Sequence, residues 1–214
     1  MKHSSAEITR EYGPFAGVDA VHGVTWDGQY VWFANGEKLI ALNPANGETV
    51  RFIDVVADAG TAFDGRFLYQ IAADRIQKID PQSGEVLNTI AAPGGGNDSG
   101  LTWAEGTLWV GGFRDRTIHQ IDPQTGVILR TLQSNRFVTG VTWVDGHLWH
   151  GTWEGEESEL RQLDSKTGDV LQSLAMPAGI GVSGLESDGA ELFFCGGGSS
   201  GKVRAVRRPR STQD

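Results

Sequence analysis

Two histidines, His22 and His150, and two aspartates, Asp58 and Asp98, are the side chains best suited to chemistry in this 214-residue chain. Imidazole titrates near neutrality, so a histidine pair can pass protons or ligate a metal. Carboxylates beside it can orient a ring or hold a divalent cation such as Mg or Ca. No His-x-x-x-His or comparable local spacing joins these residues, so a metal site would depend on the fold bringing them together. The bland alternative is that His22 satisfies a backbone carbonyl, His150 packs between blades and the aspartates bond loop amides. Asn35, Gln70, Thr152 and Trp153 fall in the same region of the repeat set out below and are the candidate substrate-binding groups.

A repeat positions these residues. Gly23-Val24-Thr25-Trp26 recurs as Gly60-Thr61-Ala62-Phe63, Gly100-Leu101-Thr102-Trp103, Gly140-Val141-Thr142-Trp143 and Gly184-Leu185-Glu186-Ser187, at steps of 37, 40, 40 and 44 residues. Each quartet leads into a turn such as Asp27-Gly28 or Asp145-Gly146, then a second apolar run such as Leu108-Trp109-Val110. A third run ends in Asp-Pro-x-x-Gly or a close variant, as at Ile121-Asp122-Pro123-Gln124-Thr125-Gly126, and a fourth closes the unit. Four short strands per unit of about 40 residues is the pattern of a β-propeller blade. The sequence therefore predicts an all-β, five-bladed β-propeller. One domain spans 1–214, with blades near 22–55, 58–92, 98–134, 138–176 and 182–208. The last blade lacks a fourth strand of its own, and the stretch 6–12 is predicted to supply it and so close the ring.

A two-residue Asp27-Gly28 turn would pair Trp26 with Gln29 and set His22 opposite Phe33. By repetition, Thr139 would face His150. This register puts His22 and His150 on one level at the end of the channel where the variable loops gather, with Asp58 and Asp98 just outside them. Tight turns occupy the other end, and binding residues favour variable loops on a rigid scaffold.

The remaining candidates carry weaker signals. Six tryptophans repeat with the blades and read as packing, whereas Trp153 lies outside the repeat. Glu186 replaces a repeated threonine, and the same register sets it against Glu191, a pair of carboxylates near the tight-turn end. Glu154, Glu156, Glu157 and Glu159 read as a solvated loop. The glycines at 94–96 and 196–198 resemble phosphate-cradling loops but open no helix. Cys195 reads as a small buried residue, and Arg204, Arg207, Arg208 and Arg210 as a solvated strand and tail. A single cysteine forbids an internal disulfide and a cysteine-built zinc site. A net charge of -9 argues against nucleic acid as a partner. No apolar run reaches membrane-spanning length, and no apolar segment follows Met1. The expectation is a cytoplasmic protein with a small-molecule partner and no membrane.

The repeated Gly-Leu-Thr-Trp-x-x-Gly-x-Leu-Trp-Val with Ile-Asp-Pro-x-Thr-Gly resembles two groups of propellers over essentially the whole chain. One is the streptogramin (virginiamycin B) lyase-like group, the other the glutamine cyclotransferase-like group, whose members are five-bladed and near this length. The first resemblance implies a metal ion and a catalytic histidine, on seven blades rather than the five units visible here. The second implies cyclase activity at a Phe-Thr-Gln-Gly-Leu entry with an acidic residue early on the second strand. Val21-His22-Gly23-Val24 and Phe33-Ala34-Asn35 stand at those places here. Three functions follow as expectations: a lyase or cyclotransferase-like enzyme using His22 and His150, a binding module at the same mouth without turnover, or an interaction scaffold using the loops around Trp153.

Overall fold

The computed structural model describes residues 2–209. Two strands lie ahead of the repeat, β1 (Lys2–Ser5) and β2 (Ile8–Tyr12). The first blade is β3 (Val24–Trp26), β4 (Val31–Ala34), β5 (Gly36–Leu42) and β6 (Thr49–Ala57). The second is β7 (Thr61–Phe63), β8 (Leu68–Ala72), β9 (Arg75–Ile79) and β10 (Val86–Ala91). The third is β11 (Asp98–Ala104), β12 (Thr107–Gly112), β13 (Thr117–Ile121) and β14 (Ile128–Gln133). The fourth is β15 (Phe137–Val144), β16 (His147–Glu154), β17 (Glu157–Leu163) and β18 (Val170–Ala175). The fifth has β19 (Leu185–Ser187), β20 (Leu192–Gly196) and β21 (Val203–Arg207). Its outer strand is β2, antiparallel to β21 from Ile8↔Val206 to Tyr12↔Val203. The chain is thus an all-β, five-bladed propeller closed by its own N-terminal segment. β1 was not foreseen: it adds in parallel to the outer edge of β18. No helix among the described residues is long and apolar enough to cross a membrane.

The leading glycines set the ring's inner diameter. A Cβ on Gly140 would stand 2.3 Å from the Leu185 amide nitrogen, and one on Gly184 would stand 2.6 Å from the His22 carbonyl oxygen. Neighbouring inner strands therefore meet backbone to backbone at this level, a contact any side chain would prevent. Outside the ring the blades stack through aromatic pairs, among them Tyr69–Trp103 at 5.5 Å and Trp109–Trp143 at 5.9 Å between centroids. The six repeated tryptophans are packing residues, as their periodicity implied.

The hairpin register differs from the expectation. Asp27 precedes its turn and pairs with Tyr30, and its carboxylate accepts the Gln29 and Tyr30 amides at 2.8 and 2.7 Å. Trp26 consequently faces Val31, and Val24 faces Phe33. In the first four blades the pairing slips by two residues, which keeps each side chain on its predicted face but moves second-strand residues deeper relative to the first strand. His150 lies opposite Val141, not Thr139. In the fifth blade the slip is three residues and separates the supposed carboxylate pair, because Glu186 faces Phe194 rather than Glu191.

Glu186 instead ties three blades together beside the axis. It accepts the Thr25 hydroxyl at 3.0 Å, the Thr142 hydroxyl in a shorter contact, and the Ser187 amide at 2.8 Å. Burial pushes its carboxyl up to about 7 from an ordinary 4.5, against these hydrogen bonds. Below pH 4.5 both folded and unfolded chains hold this proton. Between about 4.5 and 7 the unfolded chain releases it while the folded chain keeps it, so stability falls as pH rises through that window. The loss is on the order of 3 kcal/mol. Glu186→Gln removes the titration. Urea unfolding should show this variant more stable than the parent at pH 8 and similar to it at pH 4; parallel pH profiles would refute the assignment.

Candidate functional site

Inner-strand irregularities build the mouth. A β-bulge falls between Asp98 and Gly100, where β11 slips against β12, and another between Val138 and Val141, where β15 slips against β16. Bulges re-aim side chains at the end of a ladder. Here they bring Ser99 and Thr139 to a cavity of about 220 Å³ that His22, Asp58 and Asp98 also line. Ala59, Ser183 and Phe113 complete its wall. Thr139, Ser183 and Phe113 are shared with a neighbouring cavity of about 430 Å³ bounded by Trp153, the Gly197–Ser200 loop and Arg204. The two form one mouth with unlike halves, acidic beside His22 and basic beside Arg204.

His22 is the available base. Its imidazole is half-buried and makes no hydrogen bond among the described residues, in contrast to His3, His119 and His147, whose rings bond Ser173, Thr131 and the Asp145 carbonyl. Burial lowers the His22 pKa, and the neighbouring Asp58 charge raises it less strongly. The ring is therefore neutral at pH 7 and lines the cavity.

The two aspartates reach the mouth but are occupied. Both Asp58 oxygens accept the Ala73 amide, at 3.1 Å each. Asp98 is 8% exposed and accepts the Gly94 amide at 2.9 and 3.0 Å. Burial raises the Asp98 carboxyl above its ordinary value, opposed by these amides. The Gly94 and Gly96 amides are thus turned onto the chain's own carboxylate and the Gly95 amide onto the Ala92 carbonyl, which removes the phosphate-cradle reading. No group of three or more His, Cys, Asp or Glu side chains among the described residues is placed to hold a metal ion. With both carboxylates held by loop amides, Asp58 and Asp98 do not fit a resident Mg or Ca.

Four other expected site residues are not brought to this cavity. His150 is completely buried beneath the mouth. Its Nδ1 contacts the Gly151 carbonyl at 3.2 Å, its Nε2 has no partner, and burial drives its pKa down to about 3. The two-residue slip accounts for this, since it sinks β16 by about 7 Å at strand spacing. Gln70 is likewise sealed in, bonded to Thr61 at 2.6 Å and to the Ile71 carbonyl at 2.7 Å. Thr152 is buried and bonds the Glu159 amide at 3.2 Å. Asn35 accepts the Glu37 and Lys38 amides at 3.2 and 2.8 Å and lines a separate groove beside Phe15 and Phe52. Trp153 alone of the predicted substrate-binding set faces the mouth, in its larger half.

The minor candidates resolve as structure. Burial holds the Cys195 thiol up at about 12, so it is no nucleophile. Glu159 pairs with Arg161 at 2.7 Å and Glu154 with Arg116 at 3.1 Å, so the acidic run is not simply solvated. Arg204 and Arg208 are buried, contrary to expectation: Arg204 pairs with Glu11 at 2.7 Å, and Arg208 pairs with Asp145. Arg207 is exposed and pairs with Glu7 at 2.9 Å, and Arg210 lies outside the described residues. Sequence reasoning missed Arg204 because its alternation in β21 could not be assigned without the register. The bulged pair Ser99 and Thr139 left no sequence signal.

A ring of five blades with an unpartnered histidine in a polar mouth defines a class, the small propellers with a loop-lined axial site. No protein-family model matches the chain, and no curated protein matches it. Among solved structures, the glutaminyl cyclase of Myxococcus xanthus superposes with a TM-score of 0.79 at 17% identity, over 96% of this chain and 97% of that one. A hydrazine synthase of Kuenenia stuttgartiensis gives 0.53 at 18%, over 84% and 56%. A chain of a mitotic checkpoint complex gives 0.55 at 14%, over 87% and 63%. At such identities the likeness is one of fold. The chain is a five-bladed propeller structurally related to the glutaminyl-cyclase-like fold.

Proposed function

We propose that the chain is a small-molecule enzyme of lyase or cyclotransferase-like type, acting at the loop-rich mouth. One observation carries this reading: His22 is neutral, accessible and unpartnered in a cavity that also presents Asp58. As general base it would take a proton from an attacking amine, or from carbon beside an activating group, and return it to the leaving group. In a cyclisation the new bond forms within one substrate, the leaving amine departs with the returned proton, and His22 ends as it began. Asp58 would stabilise the imidazolium between the two transfers. His150, cut off from the cavity, does not touch a substrate in this scheme. The likeness to a glutaminyl cyclase supplies the first substrate to try: a glutaminyl dipeptide, with ammonia release as the readout.

The occupied carboxylates favour a second reading, a module that binds a small molecule without turning it over. His22 is then a hydrogen-bonding group alone. Saturable binding of a ligand recovered unchanged would support it.

A further inference from the structure

We infer that the larger half of the mouth is an anion subsite centred on Arg204, suited to the carboxylate of an aromatic acid. This deepens the reading above, on which it rests, by naming a substrate class. Arg204 is 6% exposed, yet its guanidinium is only partly used. Nε donates to Glu11 at 2.7 Å, and Nη2 reaches the Ser200 hydroxyl only at 3.5 Å. Nη1 has no hydrogen-bond partner among the described residues. A guanidinium this deeply placed is normally saturated, and its free edge matches the two oxygens of a carboxylate. Glu11 does not cancel the charge, because it also holds Lys202 at 2.8 Å, leaving two cations against one anion.

The surroundings keep this edge open. A Cβ on Gly197 would stand 2.6 Å from Arg204 Nη1, so any larger residue there would displace the fork. Trp153 supplies a flat apolar wall to the same cavity, and a Cβ on Gly181 would stand 3.3 Å from that ring. In the adjoining half, Asp58 and Asp98 repel a second anion, which orients an acid with its carboxylate at Arg204 and its reacting end toward His22.

Titration calorimetry with benzoate, and with benzamide as its neutral counterpart, tests this directly. Benzoate should bind saturably, about ten-fold or more tighter than benzamide. Equal affinities, or no binding of either, would overturn the inference without any variant. Arg204→Met should bring the ratio close to one. If losing the Glu11 pair unfolds that variant, Arg204→Lys keeps the charge without the fork and should lower the ratio several-fold; an unchanged ratio in a folded variant refutes the subsite. His22→Ala should retain the preference for benzoate. Absent turnover with an intact benzoate preference would count against the enzyme reading alone, and lost preference with intact turnover against the subsite alone.

Discussion

Replacing His22 with alanine should lower ammonia release from the glutaminyl dipeptide by roughly 10²–10⁴-fold, the range over which a positioned general base contributes. The fold should survive. His22 makes no side-chain hydrogen bond among the described residues and sits at the mouth, so truncation leaves no buried group unsatisfied. Circular dichroism and melting temperature should match the parent. In the parent, kcat/KM should rise with pH as the imidazole loses its proton. The inflection should lie below the ordinary histidine value of 6.5, because burial lowers this pKa more than Asp58 raises it. Asp58→Asn removes the opposing influence and should move the inflection lower still. Unchanged turnover in His22→Ala would remove the base from the scheme.

Gly140→Ala should destabilise the ring far more than one methyl group suggests. The added carbon would meet the Leu185 amide nitrogen at 2.3 Å and the Gly184 carbonyl carbon at 2.5 Å. Both are backbone atoms of the next blade's entry and cannot rotate away, so the fourth and fifth blades must separate. Overpacking of this kind costs about 3 kcal/mol or more. In a chain of this size that lowers the melting temperature by roughly 6–12 °C. Gly95→Ala is the control: nothing lies within 4 Å of its Cβ, and its φ of +56° leaves a conformational cost of about 1 kcal/mol. Equal melting losses in the two variants would contradict a ring closed at the glycines. Because Thr139 precedes Gly140 and lines both halves of the mouth, the same change should also weaken benzoate binding.

The fold was legible because its determinants are local and repeated. The leading glycines recur in all five blades, and the inter-blade tryptophans and the Asp-Pro-x-x-Gly turns recur in several. The N-terminal closure could be inferred because the fifth unit lacked a fourth strand. The site was only half legible. Asp27 caps its turn from outside, whereas Asp145 lies within its turn at a positive φ of 52°. The two Asp-Gly pairs look alike in sequence and differ by one place in the hairpin. Both hairpins nevertheless keep one register relative to the leading glycine, Val24↔Phe33 and Val141↔His150, and this shared slip sinks second-strand His150 while His22, ahead of the first strand, stays at the mouth. Arg204 and the bulged Ser99 and Thr139 depend on register and on contacts between distant segments, which no local pattern encodes.

The most direct measurement is the titration of the histidine rings by NMR, with and without benzoate. His22 should titrate below 6.5, and its resonances should respond when the neighbouring half of the mouth is filled, while His150 stays neutral and unresponsive across the accessible range. A His150 that titrates and answers the ligand while His22 remains silent would contradict the placement of the site.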